Sequence, residues 1–225
     1  MYDRRYSPEF IAGISNGIVQ NVVGHPFDTV KVLLQNKVNL NNIKITDLYR
    51  GFKYPLFNQI ISNSVALDTH AKLKKLGIKN EFINGGITGA FITPFAFVFD
   101  IFKIKSQTGF KYSFNDFIKP TSFALTGLRE IPAYSLYLGS YFEMRKYDIN
   151  PALAGGLSGC INWTLTYPLD TIRTRYITFR DIELIECVLM RNYWNGYGVC
   201  MLRAFLVSSF GFSAYEYTLK FLKNI

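Results

Sequence analysis

Three acid–base pairs recur in this chain at one spacing. Gly13 precedes Asp28 by 15 residues and Lys31 by 18, and the same steps lead from Gly85 to Asp100 and Lys103 and from Gly155 to Asp170 and Arg173. An acid three residues before a base shares a helical face with it. Each pair also closes an apolar stretch long enough to cross a bilayer, where an unpaired charge is costly and charged residues tend to be functional. The chemistry open to such pairs is reversible ion pairing rather than bond making. Three equivalent charged helix ends imply a threefold device, and the function that fits is a gate.

The elements that must carry these pairs follow from the repeat, whose period is about 72 residues. The first helix of each copy has two glycines four apart: Gly13 and Gly17, Gly85 and Gly89, Gly155 and Gly159. That spacing lets helix backbones approach closely in a membrane. A second apolar segment opens at Gly51, Ser122 and Gly196, and seven residues on stand Asn58, Arg129 and Arg203. The pattern predicts an all-α membrane protein. Six transmembrane helices are expected, near 8–36, 53–75, 81–107, 121–146, 150–178 and 195–222, and form three two-helix repeats (about 1–78, 79–148 and 149–225). An even number of spans puts both termini on one side.

Composition agrees with helices that have one lipid face and one wet face. The 225 residues are 49% hydrophobic, with 20 Phe and 15 Tyr, yet mean hydropathy is only +0.10. The net charge of +9 admits nucleic acid, an anionic membrane surface or an anionic solute as partner. The bases form no run, which argues against a nucleic-acid-binding tail; the rival reading from another class, a basic helical protein that binds nucleic acid, needs clustered bases and leaves charged pairs inside apolar stretches without a purpose. Cys160, Cys187 and Cys200 lack metal-ligand spacing and are read as reduced packing residues. Residues 2–9 are too charged and too few for a cleavable signal. No phosphate loop, metal motif or nucleophile elbow is present, so an enzyme, a metal and a cofactor are not expected. His25, before Pro26, is read as a packing or cavity-lining residue.

The first copy reads HPFDTVKVLLQ and the third YPLDTIRTRY, each of the form P-x-D-x-x-[KR], followed by LYRGF at 48–52 and WNGYG at 194–198. On these motifs the chain resembles the mitochondrial carrier family over almost its whole length. The resemblance implies six tilted helices, pseudo-symmetric by repeat, around a central cavity, with a short matrix-side helix in each repeat. The second copy departs from the pattern: it reads TPFAFVFDIFKIKSQ, so Pro94 precedes Asp100 by six residues instead of two. The glycine register shows that the charges stayed and the proline moved up one turn. Proline kinks helices, so kinks are expected at Pro26, Pro94 and Pro168, the second starting earlier in its helix.

By this resemblance Asp28 pairs with Lys103, Asp100 with Arg173 and Asp170 with Lys31, closing the matrix side, with Gln35 and Gln107 as braces and Ile177 where a third would stand. A cytoplasmic gate is implied near the ends of the even helices. Its residues here are Lys74, Glu143, Lys146, Glu216 and Lys220, with His70 and Ala71 replacing an aromatic–acid pair. Closure on that side is expected to be the weaker.

The implied substrate contacts are Asn58, Arg129 with Glu130, and Arg203, with Tyr134 on the same face as Glu130. They support two readings. An Arg–Glu pair resembles carriers of amino acids and carnitine, whereas two arginines in a basic chain suit nucleotide phosphates. Richness in Phe, Tyr, Asn, Ile and Lys suggests an AT-rich genome such as a parasite's or a large DNA virus's, which tips the expectation toward nucleotides. The expected protein is therefore a monomeric carrier in contact with membrane lipid. It would exchange a small anionic or zwitterionic metabolite by alternating access in the mitochondrial inner membrane, that of the host cell if the chain is viral.

Overall fold

The computed structural model describes residues 7–35, 49, 52–108, 119–178, 183–189, 193–194 and 197–224, and the side chains of 28–35, 53–55, 103–108, 178 and 199 fall outside the description. Among the described residues all regular structure is helical. The helices are α1 (Pro8–Gln35), α2 (Lys53–Lys75), α3 (Glu81–Thr108), α4 (Pro120–Lys146), α5 (Pro151–Thr178), α6 (Leu184–Leu189) and α7 (Tyr197–Lys223). The six long helices match the expected positions to within two residues. The short α6 follows the third charged pair; the segments where its two counterparts would lie are outside the described residues.

Local chemistry sets the boundaries. Ser7, Asn80 and Asn150 cap α1, α3 and α5 by accepting backbone N–H groups of the first turn, with Pro8 and Pro151 opening two of them. α2 and α4 end alike. Ile78 N–H donates to Leu73 O and Gly77 N–H to Lys74 O; Ile149 N–H donates to Met144 O and Asp148 N–H to Arg145 O. Both are left-handed helix stops, with φ +97° at Gly77 and +56° at Asp148.

The long helices pack as a closed ring in the order α1, α2, α3, α4, α5, α7 and back to α1. The glycine pairs form the seams. A Cβ on Gly13 would lie 2.6 Å from Ser64 Cα, one on Gly85 2.6 Å from Tyr134 O, and one on Gly155 2.6 Å from Ser208 O. Only a residue without a side chain admits such an approach.

The ring is polar inside and apolar outside. Ile18 and Val22, Phe91 and Phe95, Leu128 and Ile131, Ile161 and Leu165 face outward, whereas Asn16, Gln20, Asn63, Glu130 and Arg173 are buried. Exposed apolar surface on this scale calls for a covering medium or partner. Among the described residues one span, Glu81–Phe102, is by itself long and apolar enough to cross a membrane, with mean hydropathy 1.5. The dry core lies at the end where α1 begins and α7 finishes, called the terminal end below. There Tyr141 and Phe212 stack with ring centroids 3.5 Å apart, both fully buried, among Ala12, Leu67, Leu138, Ala154 and Tyr215.

Candidate functional site

Beyond that core the ring encloses a cavity of about 490 Å³ to which all six long helices contribute. Eight sequence-selected residues line it: Asn58, Arg129, Glu130, Arg203 and Tyr134, expected as substrate contacts, and Asp100, Asp170 and Arg173, expected in the gate. Three guanidinium groups thus share the space with three carboxylates. Arg129 Nη1 lies 2.5 Å from Glu130 Oε1 and its Nε 3.3 Å from Asp170 Oδ1. Its guanidinium also sits 5.2 Å from the centre of the Trp163 ring, a cation–π arrangement. Arg173 pairs with Asp100 through Nη2, while its Nε donates to Thr126 Oγ1 at 3.1 Å. Arg203 of α7 reaches α1, its Nη2 within 3.4 Å of where a Cβ on Gly24 would stand.

Pairing across helices follows from the cost of isolated charge in a poorly hydrated site. Asp100 on α3 and Arg173 on α5 are in contact. The partners expected for Asp28, Lys31 and Lys103, and the braces Gln35 and Gln107, involve side chains outside the described residues. Asp170 lies against Arg129 and, at 4.0 Å, Arg173 of its own helix.

Between cavity and dry core is a layer of amides and hydroxyls that sequence reasoning missed. Gln20 Oε1 accepts from Gln59 Nε2 at 2.6 Å and from Asn63 Nδ2 at 3.1 Å, and Gln20 Nε2 donates to Tyr137 Oη at 2.8 Å. Tyr137 in turn donates to Ser208 Oγ at 3.3 Å. Four helices are thereby tied without a formal charge. Isolated amides in apolar stretches carry no spacing signal; their common depth emerges only when the helices are ringed. Thr126 and Trp163 were missed for the same reason.

At the terminal end the expected gate residues are present with different partners. Glu143 pairs within its own helix, with Lys146 at 2.5 Å. Glu216 meets Arg145 at 3.2 Å and accepts from Tyr141 Oη at 3.0 Å, and Lys220 makes no ion pair among the described residues. Lys74 and Lys146 converge on Glu81, a residue outside the expected set. The expectation of weak closure here meets a different arrangement, with stacked aromatics beneath and ion pairs above.

The proline-bearing helices are steadied by aromatic rings. Pro26 has no N–H to give the carbonyl of Val22 four residues back, and Tyr49 Oη donates to that carbonyl at 3.1 Å. His25 stacks on Tyr49 at 6.0 Å and meets Phe52 edge-on at 5.3 Å. In the third copy Tyr167 stacks on Trp194 at 5.9 Å and meets Tyr197 edge-on at 5.5 Å. Pro94 and Pro168 also lie inside their helices, as does Pro132, which the motif did not flag. Of the cysteines, all free, Cys200 lines the cavity and Cys187 is the buried residue of α6, where burial pushes its thiol pKa up.

Comparison with known proteins agrees with this arrangement. The family model for the mitochondrial carrier protein matches residues 3–81 and 146–185. The chain is 28% identical to mitochondrial substrate carrier family protein L of Dictyostelium discoideum, over 94% of each chain. It is 27% identical to the mitochondrial carnitine/acylcarnitine carrier protein of Mus musculus, over 96% of this chain and 94% of the relative. A third relative, the mitochondrial basic amino acids transporter of Rattus norvegicus, is 24% identical over 96% of this chain and 90% of its own. A ring of helices with paired charges around a cavity, matched by the family model over more than half its length, belongs to the mitochondrial carrier family, whose members are transporters.

Proposed function

We propose that this chain spans the mitochondrial inner membrane six times, as three two-helix repeats, and exchanges a zwitterionic or cationic metabolite of the carnitine or basic amino acid kind by alternating access. The observation that carries this reading is the charge balance of the cavity, where Arg129, Arg173 and Arg203 share the lining with Asp100, Glu130 and Asp170. A molecule with one carboxylate and one cationic group can take over one partner from each side of an existing pair, so that its binding energy replaces the pair it opens. A nucleotide would bring several negative charges toward three carboxylates. The excess positive charge that favoured nucleotides belongs to the chain as a whole. The names of the mouse and rat relatives point the same way, and the apolar outer surface supports the membrane setting.

In this mechanism the Asp100–Arg173 contact, with Asp28–Lys103 and Asp170–Lys31, closes the matrix side. Substrate entering against Arg129 and Glu130 draws Arg129 off Asp170, leaving Asp170 free to complete the ring with Lys31. The test is uptake of labelled carnitine, ornithine and ATP into liposomes holding the purified protein, with and without internal substrate. Carnitine or ornithine uptake that requires internal substrate is expected, and Arg129→Gln should lower it on the order of 100-fold, since it leaves buried carboxylates unpartnered. Saturable uptake of ATP alone would overturn the substrate reading.

A further inference from the structure

Glu81 opens α3 on the terminal end, where an acid in the first helical turn is ordinary. Its surroundings are not. The side chain is 1% exposed, although it stands at a helix start next to a turn. Lys74 Nζ from the end of α2 lies 2.7 Å from Oε1, Lys146 Nζ from the end of α4 lies 3.4 Å from the same atom, and His70 Nε2 lies 3.3 Å from Oε2. The two lysines are 51% and 44% exposed. A sealed carboxylate is therefore roofed by two cations that reach water. His70 in turn stacks on Phe142 of α4 at 4.2 Å, and Asn84 Nδ2 donates to His70 O at 3.0 Å. One carboxylate thus joins three helix ends.

The sequence shows a gap at the matching place. Where the first repeat should carry an acid three residues before Lys74, it has Ala71. Lys74 has kept its charge without a same-helix acid at that spacing, and Lys146, paired with Glu143 at 2.5 Å, reaches the same acceptor at 3.4 Å. We propose that Glu81 supplies the carboxylate that position 71 lacks, and that separation of Lys74 and Lys146 from it is the step that opens the terminal side of the cavity. The lysines suit this role because each is already half in water and gains solvation as it leaves. Glu81 cannot follow them, being fixed in the first turn of α3. The cost of opening is then set by leaving Glu81 buried without its cations. This rests on the carrier reading but concerns access to the cavity, which can be measured without a substrate.

The test places a single cysteine, Ala96→Cys in the cavity wall, in a chain whose three native cysteines are serine, and reconstitutes it in sealed vesicles of known orientation. The rate of labelling by a membrane-impermeant maleimide from the terminal side is read. Glu81→Gln should raise that rate about tenfold or more, and adding Ala71→Asp to E81Q should bring it back toward the starting value. Should E81Q fail to fold, the double variant K74Q/K146Q unlatches the same carboxylate from the other side and must raise the rate likewise. Unchanged labelling in whichever of these variants folds, or a raised rate that Ala71→Asp does not lower, would overturn the proposal. Failure of the exchange reading would show separately, as absence of carnitine and ornithine uptake by the unaltered protein.

Discussion

The first and third copies of the charged pattern build the same aromatic triangle, and the second builds one side of it. His25, Tyr49 and Phe52 correspond to Tyr167, Trp194 and Tyr197: a stacked pair at 6.0 Å against 5.9 Å, and an edge-on pair at 5.3 Å against 5.5 Å. The rings differ in kind while the geometry is kept. In the second copy Phe97 meets Phe123 edge-on at 5.4 Å, and the place of the stacking ring falls to Pro120. This is also the copy whose proline sits one turn early, and the family model skips it. The lesson is that the stacked ring and the late proline go together. In the first copy the carbonyl that Pro26 leaves without its helical partner, that of Val22, is taken by the Tyr49 hydroxyl; the second copy, whose proline lies a turn earlier, has Pro120 in place of that ring.

What all three copies share is the glycine seam, so the largest effects should fall there and be equal. Gly13→Val, Gly85→Val and Gly155→Val each drive a side chain into backbone 2.6 Å away. Each should cost about 3 kcal/mol, read as a lowered melting temperature in detergent. Marked inequality would mean that the seams are not equivalent. Next come the triangles. A double-mutant cycle on Tyr167 and Trp194 should give a coupling of about 1 kcal/mol, and one on His25 and Tyr49 a similar value. Replacing Pro120 with Trp should give no comparable coupling to Phe97.

These comparisons show what was legible. Helix positions and seams could be read because each is a local pattern repeated in register, and repetition raises a weak motif above chance. Asp100 and Arg173 were matched across helices on resemblance alone. Glu81 was not legible, because an acid at a helix start has an ordinary local explanation and its partners arrive from positions 70, 74 and 146. Arg145, which takes Glu216, was legible but overlooked: it stands 23 residues after Ser122, as Lys74 stands 23 after Gly51. The amides went unread because neutral hydrogen bonding leaves no spacing.

Two smaller tests sharpen the comparison further. Tyr49→Phe keeps the stacked ring but removes the hydroxyl from the Val22 carbonyl, and should cost about 1 kcal/mol. Trp194→Phe, with no such bond to lose, should cost less if the hydroxyl is what matters at position 49. The helix stops at Gly77 and Asp148 share one hydrogen-bond pattern, and only the first has the residue suited to a left-handed backbone. Asp148→Gly should therefore stabilise by about 0.5 kcal/mol and Gly77→Ala destabilise by about 1 kcal/mol, both measured by thermal unfolding.

Gln20 accepts two hydrogen bonds and donates one, at the boundary between the wet and dry halves of the ring. An amide can turn over and trade its donor for its acceptor, as can its partners Gln59 and Asn63. A carboxylate among lysines has one sense only and must be torn from its partners to move. The amide layer can instead change partners while staying fully bonded, so four helices could shift against one another there with little loss of energy. In mechanical terms, in the proposed exchange cycle the middle of the ring would be a slip plane and the charges at either end its brakes.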